Sequence, residues 1–108
     1  AEEIRSRMFV FTDIVLLEDR AMQLVLRQVD TSGLALALKG ATDAVRDVVM
    51  RNVSQRAREN LVEEIDLLGP VRLSQVEDAR AAIVQVIRRL EESGQITIRR
   101  DGEDEYVA

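Results

Sequence analysis

The apolar positions of this chain fall at helical spacing nearly throughout, in segments short enough that each must lean on its neighbours. Residues 13–17 read as a short helix or turn leading into a second one. From Asp19, Met22, Val25, Leu26 and Val29 keep the i, i+3, i+4, i+7 rhythm of an amphipathic helix. Asp30-Thr31-Ser32-Gly33 breaks that rhythm and offers cap residues for the next segment. Leu34-Ala35-Leu36-Ala37-Leu38 is apolar nearly all round, which predicts a short buried helix ending at Lys39-Gly40, a basic residue followed by a C′ glycine. Thr42 can cap a helix that lines up Val45, Val48, Val49 and Val53; so many valines lower its intrinsic propensity, so packing must hold it.

Ser54 can cap the following helix, which stops at Gly69-Pro70, where proline lacks a backbone donor and disfavours helix in the residue before it. Ser74-Gln75-Val76-Glu77 fits a capping box, and Val76, Ala79, Ile83, Val86, Ile87 and Leu90 form the stripe of a last, longer helix closed by Ser93-Gly94. Beyond it Gln95-Ile96-Thr97-Ile98 alternates, Asp101-Gly102 is a type I′ turn signal, and Tyr106-Val107 can return as a second strand. Such a hairpin is marginal alone and would have to pack on the last helix. The expected fold is all-α: a compact bundle of about six short helices ending in a long amphipathic one, with a small terminal β-hairpin as its one β element.

Composition narrows the chemistry. The 108 residues suit one domain, and a 46% hydrophobic content with only 3% aromatic leaves the packing to Val, Leu, Ile and Ala. There is no cysteine, hence no disulfide or thiolate chemistry, and no histidine, the usual general base and commonest metal ligand. An enzyme is therefore not expected, and neither is a cofactor or metal. A net charge of −5 disfavours a nucleic-acid binder. No apolar run approaches the roughly 20 residues of a membrane span. The opening Ala1-Glu2-Glu3-Ile4-Arg5-Ser6-Arg7 is charged, lacks the apolar core of a secretory signal and reads as the tail of a helix cut from something longer.

On a helical wheel the segment Ser54–Leu68 sets Ala57, Leu61, Ile65 and Leu68 on one side and Arg56, Glu59 and Glu63 on the other, with Glu64 flanking. The plainest account of that face is solvation, with pairs such as Arg56–Glu59 worth about 0.2–0.5 kcal/mol. Arg58 falls toward the edge of the apolar side, with its head snorkelling to water. For Met8-Phe9-Val10-Phe11, which holds both phenylalanines, the plain account is an apolar anchor at the chain entrance.

A more specific account comes from resemblance. Met8-Phe9-Val10-Phe11, Leu38-Lys39-Gly40-Ala41, Arg51-Asn52-Val53-Ser54-Gln55-Arg56-Ala57, Glu63-Glu64 and Leu68-Gly69-Pro70-Val71-Arg72 together make the chain, from about Met8 onward, closely similar to the C-terminal domain family of the bacterial flagellar motor switch protein FliG. The resemblance implies a rotor component of the flagellar motor at the cytoplasmic face of the inner membrane. The charges at Lys39, Arg56, Glu63, Glu64 and Arg72 would meet the cytoplasmic loop of the stator protein MotA. Met8, Phe9, Val10 and Phe11 would form the hinge, written MFXF in the family, about which the domain reorients when the motor reverses. It divides the chain into residues 1–11, an incoming helix end and hinge, and 12–108, the torque-transmission domain. Other switch-complex proteins and neighbouring FliG subunits would be met through regions the chain does not contain. Family aspartates are replaced here by Glu63 and Glu64, which keeps the charge, and Arg58 stands where relatives commonly carry alanine. Gly69-Pro70 would set where Arg72 points.

Two other classes compete. The last helix, strand, turn and strand look like a winged-helix nucleic-acid binder, with Arg80, Arg88-Arg89 and Arg99-Arg100 as its basic groups. Against that stand the −5 charge and Glu103-Asp104-Glu105 beside the wing. A hydrolase using Glu63-Glu64 is weaker, since adjacent helical positions do not face one another.

Overall fold

The structure is a computed structural model, which describes residues 9–98. A six-residue 3-10 turn, Phe11–Leu16, leads into five α-helices: α1 Asp19–Arg27, α2 Thr31–Leu38, α3 Asp43–Met50, α4 Gln55–Leu68 and α5 Leu73–Glu92. The architecture is all-helical, as the periodicity predicts.

Local chemistry accounts for most of the boundaries. Asp30, Thr42 and Ser54 each stand at an N-cap in extended conformation, and each accepts a hydrogen bond from the backbone N–H three residues on, at 2.9, 3.3 and 3.1 Å. The end of α5 is a Schellman motif. The Gly94 N–H bonds to the Glu91 carbonyl and the Gln95 N–H to the Leu90 carbonyl, with Gly94 at φ 80° as its left-handed residue. Gly69 ends α4 at φ 58° and ψ −154°, a region closed to side-chain-bearing residues.

The start of α5 departs from the expected capping box. Arg72, not Ser74, is the N-cap, and Gln75 at N3 reaches back to accept from the Arg72 N–H at 3.1 Å. Once Pro70 has broken the chain, helix can restart at Leu73, and Gln75 supplies the returning hydrogen bond two residues upstream of the expected register. Val53 lies past the end of α3 and is only half-buried. The segment Gln95–Ile98 pairs with no strand among the described residues, yet it alternates as predicted, with Ile96 and Ile98 buried and Gln95 and Thr97 exposed. The turn and return strand, Asp101-Gly102 and Tyr106-Val107, lie outside the described residues.

The core centres on α2, in which Ala35, Ala37 and Leu38 have no exposed surface. Its most extensive packing is against α5, then α4, while the 3-10 turn sits on α3 and α5. Alanines at the crossing let the backbones approach, and Ile83, Ile87 and Leu90 of α5 and Leu61 and Ile65 of α4 close the core around them. Because α2 has only eight residues, it covers only part of α4. Positions 54–60 are all exposed. Ala57, expected on the buried side, is therefore in solvent: its face is apolar, but the buried stretch of α4 begins only at Leu61.

The Gly69 corner yields a direct test. A Cβ placed there would meet no atom within 4 Å, so the cost of Gly69→Ala is in the dihedrals alone. Urea unfolding followed by circular dichroism should show a loss of about 1–3 kcal/mol. An unchanged midpoint would mean the corner relaxes freely.

Candidate functional site: the charged face and its supports

Helix α4 carries the candidate face. Arg56 and Glu63 are seven positions apart, within about 20° of each other around the axis and roughly 10 Å along it. Both are exposed, as is Glu59. Glu64 is half-buried, about 80° further round. Arg72 is exposed at the N-cap of α5, just beyond the Gly69-Pro70 corner. Among the described residues, Arg56, Glu63, Glu64 and Arg72 form no ion pair. The Arg56–Glu59 pair of the solvated-face account is not made either: Glu59 accepts from Gln55 Nε2 at 3.4 Å. The face thus presents separated positive and negative charges whose interactions with one another are left to water.

Lys39 differs from the expectation of a substantially exposed charge. It is half-buried, and its Nζ donates to the Ile65 carbonyl in the last turn of α4 at 3.4 Å. The physical reason is the orphan carbonyl there: the last turn of a helix has acceptors without intrahelical donors and a partial negative charge that favours a cation. Lys39 is thus held at the last turn of α4 by Ile65, which the helical wheel sets on the side opposite Arg56 and Glu63. Arg58 is accounted for in the same way, with Nε donating to the Met50 carbonyl, the last of α3, at 3.2 Å.

Arg80, read in the sequence only as a basic group of the last helix, has a structural role that the sequence reading missed. From the middle of α5, its Nε donates to the Ala37 carbonyl at 2.8 Å and its Nη2 to the Lys39 carbonyl at 3.2 Å. The guanidinium carbon lies over the Phe11 ring, 5.0 Å from its centroid. The signal was present: Arg80 is i+4 from Val76 and i−3 from Ile83, so it falls within the apolar stripe, where a solvated arginine has no place. Four exposed apolar side chains also went unremarked: Val15 at 43%, Val62 at 41%, Leu67 at 79% and Leu73 at 70% exposure, the last two flanking the Gly69-Pro70 corner.

At the chain entrance, Phe9 and Phe11 are both buried in the core while Val10 between them is exposed and extended. The Val10 N–H donates to Asp13 at 3.0 Å, turning the chain into the 3-10 segment. The first seven residues and Met8 lie outside the described residues.

A separate surface cluster locks α1 to α3. Asp19 accepts from Arg51 Nε at 3.0 Å and from Asn52 Nδ2 at 3.1 Å. Gln23 donates to Asn52 Oδ1 at 3.0 Å, and Asn52 also donates to the Val48 carbonyl at 2.8 Å. The hydrogen bond from Asn52, then that from Arg51, holds the Asp19 carboxyl below its ordinary value of 3.8.

Among the described residues no group of three His, Cys, Asp or Glu could hold a metal ion, and no helix is long and apolar enough to cross a membrane. The basic groups of the winged-helix account do not form a phosphate-facing strip. Arg80 points into the core region, Arg88 is half-buried, and Arg89 Nε donates to Gln85 on its own helix. Arg99-Arg100 lie outside the described residues.

The described residues make an all-helical domain with an exposed charged face on α4 and an aromatic anchor at its entrance. Its residues 1–98 match the FliG C-terminal domain family, and the chain belongs to that family. It is 54% identical over 107 residues to the flagellar motor switch protein FliG of Thermotoga maritima, and 50% identical over the same length to that of Bacillus subtilis. Each alignment takes in 99% of this chain and 32% of the relative. The chain therefore spans about a third of the length of these curated relatives. Among solved structures it resembles FliG residues 86–343 from H. pylori, with TM-score 0.83 and 38% identity over 89% of this chain and 45% of that one. Full-length FliG from Aquifex aeolicus superimposes with TM-score 0.80 at 38% identity, over 89% of this chain and 30% of that one.

The Asp19 cluster sets a pH test. The folded carboxyl releases its proton more readily than the unfolded one, so its stabilising contribution is present above about 3.8 and is lost as pH falls through and below that value. Asp19→Asn should be less stable than the parent at neutral pH, and the gap should narrow as pH drops below about 4. Urea midpoints across that range check this; a gap that stays constant would assign the acid sensitivity elsewhere.

Proposed function

We propose that this domain is the stator-facing part of a rotor component of the flagellar motor. Lys39, Arg56, Glu63, Glu64 and Arg72 meet the cytoplasmic loop of MotA to transmit torque, Lys39 from the last turn of α4 where it is held. The observation that carries the reading is the sign-separated, internally unpaired charge on a helix whose first half is exposed, in a member of the FliG C-terminal domain family. On this reading the protein acts by contact and not by catalysis, at the cytoplasmic face of the inner membrane within the flagellar basal body. Other switch-complex proteins and neighbouring FliG subunits engage parts of the protein beyond this domain.

Such a contact has to form fast, discriminate and let go. Exposed ion pairs are worth about 0–1 kcal/mol each and act over roughly 8 Å at physiological salt, so they register two moving surfaces without trapping them. The Met8, Phe9, Val10 and Phe11 segment acts as the hinge. Two buried rings anchor it, and an extended residue between them supplies dihedrals that can change when the domain reorients to reverse rotation.

The test is a swimming assay of the full-length protein carrying each variant, with circular dichroism of this domain as folding control. Arg56→Ala alone should reduce motility partly. Arg56→Glu with Glu63→Lys and Glu64→Lys should abolish most of it, with complementary reversal on the stator loop restoring some. The fold should change by no more than about 0.5 kcal/mol. Normal swimming with all three charges reversed and the fold intact would remove the torque role from α4.

A further inference from the structure

The contacts of Arg80 form an unbroken series. Its guanidinium carbon lies over the Phe11 ring, its Nε and Nη2 hold the Ala37 and Lys39 carbonyls, and the Lys39 ammonium in turn holds the Ile65 carbonyl of α4. The 3-10 turn packs chiefly on α3 and α5, and α4 chiefly on α2, so the Phe11 segment and the charged helix belong to different sides of the core. Arg80 is placed between them. We infer that Arg80 is a positioning residue that couples the Phe11 segment to the Lys39 loop and, through Lys39, to the last turn of α4, the helix that carries the charged face.

The argument is one of shape. A guanidinium is planar and rigid, so its face and its edge cannot be reoriented independently. While Phe11 lies beneath it, the plane is fixed and both donors stay aimed at the end of α2. If the ring leaves, the plane is released and the hydrogen bonds to the Lys39 loop lose their alignment. A lysine at this position keeps the charge but, as a point charge on a flexible stem, cannot serve ring and carbonyls in one fixed geometry. A static helix cap would need only the two hydrogen bonds; the ring beneath the cation makes the cap responsive to the entrance segment. For its consequence in the motor, the inference rests on the torque and hinge reading above.

Two experiments test it. The first is amide hydrogen exchange on this chain, comparing Phe11→Leu, Arg80→Lys and the double variant with the parent. It is read at the Ala41 amide, which donates to the Leu38 carbonyl at 3.1 Å, and referenced to Ile87 in the core of α5 to remove global unfolding. Phe11→Leu should speed Ala41 exchange about fivefold with Arg80 present, and less than about twofold once Arg80→Lys has been made, the range expected of coupling between packed neighbours. An equal effect in both backgrounds, or none in either, overturns the inference. The second places Arg80→Lys in the full-length protein and records rotation of tethered cells. The fraction of time spent in each direction should shift about threefold with speed in each direction kept. An unchanged bias, or an equal loss of speed both ways with the fold intact, overturns the coupling role in the motor. A motor that still turns after the triple charge reversal on α4 would sink the torque reading alone, leaving the exchange result to stand on its own.

Discussion

The constraint on which the rest of this domain depends is the shortness of its helices. An eight-residue helix leaves four carbonyls without intrahelical donors, half of all it has, and each must be satisfied if it is to be buried. Here α2 and α3 are of that length, and the donors come from elsewhere in the chain. Arg80 serves the end of α2. Asn52 and Arg58 complete the end of α3, where the N–H groups of Arg51 and Asn52 take two further carbonyls, and Lys39 reaches the last turn of α4. These bonds tie one helix to the next at places where apolar packing alone would leave polar atoms buried and unmet.

Six cations among the described residues show two kinds of placement. Lys39, Arg51, Arg58 and Arg80 are committed to carbonyls or to Asp19, whereas Arg56 and Arg72 stand on the surface without a partner among the described residues. Lys39, Arg58 and Arg80 each reach carbonyls at or just past the end of a helix. Helix α4 is buried through Leu61 and Ile65 in its second half, while Arg56 stands exposed in its first, where Arg58 ties the helix to the end of α3.

Much of this was legible in the sequence, for identifiable reasons. Asp30, Thr42 and Ser54 are caps by side-chain chemistry alone, and the valine stripe of α3 and the long stripe of α5 are periodic enough to place without a partner. Ala57, Lys39 and Arg80 could not be read in this way. Each depends on what lies opposite: open solvent for Ala57, an orphan carbonyl 26 residues on for Lys39, and a carbonyl more than 40 residues back for Arg80. The register of α5 was missed for a smaller cause, since Ser74 and Gln75 both offer capping chemistry and only the backbone after Pro70 decides between them.

The Gly69 corner has a consequence for genetics. At Gly33 an added Cβ would lie 2.8 Å from Asp30 Oδ1, the end of a side chain, so a second change at Asp30 could relieve it. At Gly69 nothing crowds the space; the restriction lies in the bond rotations of that one residue. No neighbour can be trimmed to compensate, because no neighbour is at fault. Suppressors of a damaged Gly69 should therefore be global stabilisers or true revertants, and the direction in which α5 leaves α4 is a trait that selection can guard at a single codon but cannot renegotiate through its surroundings.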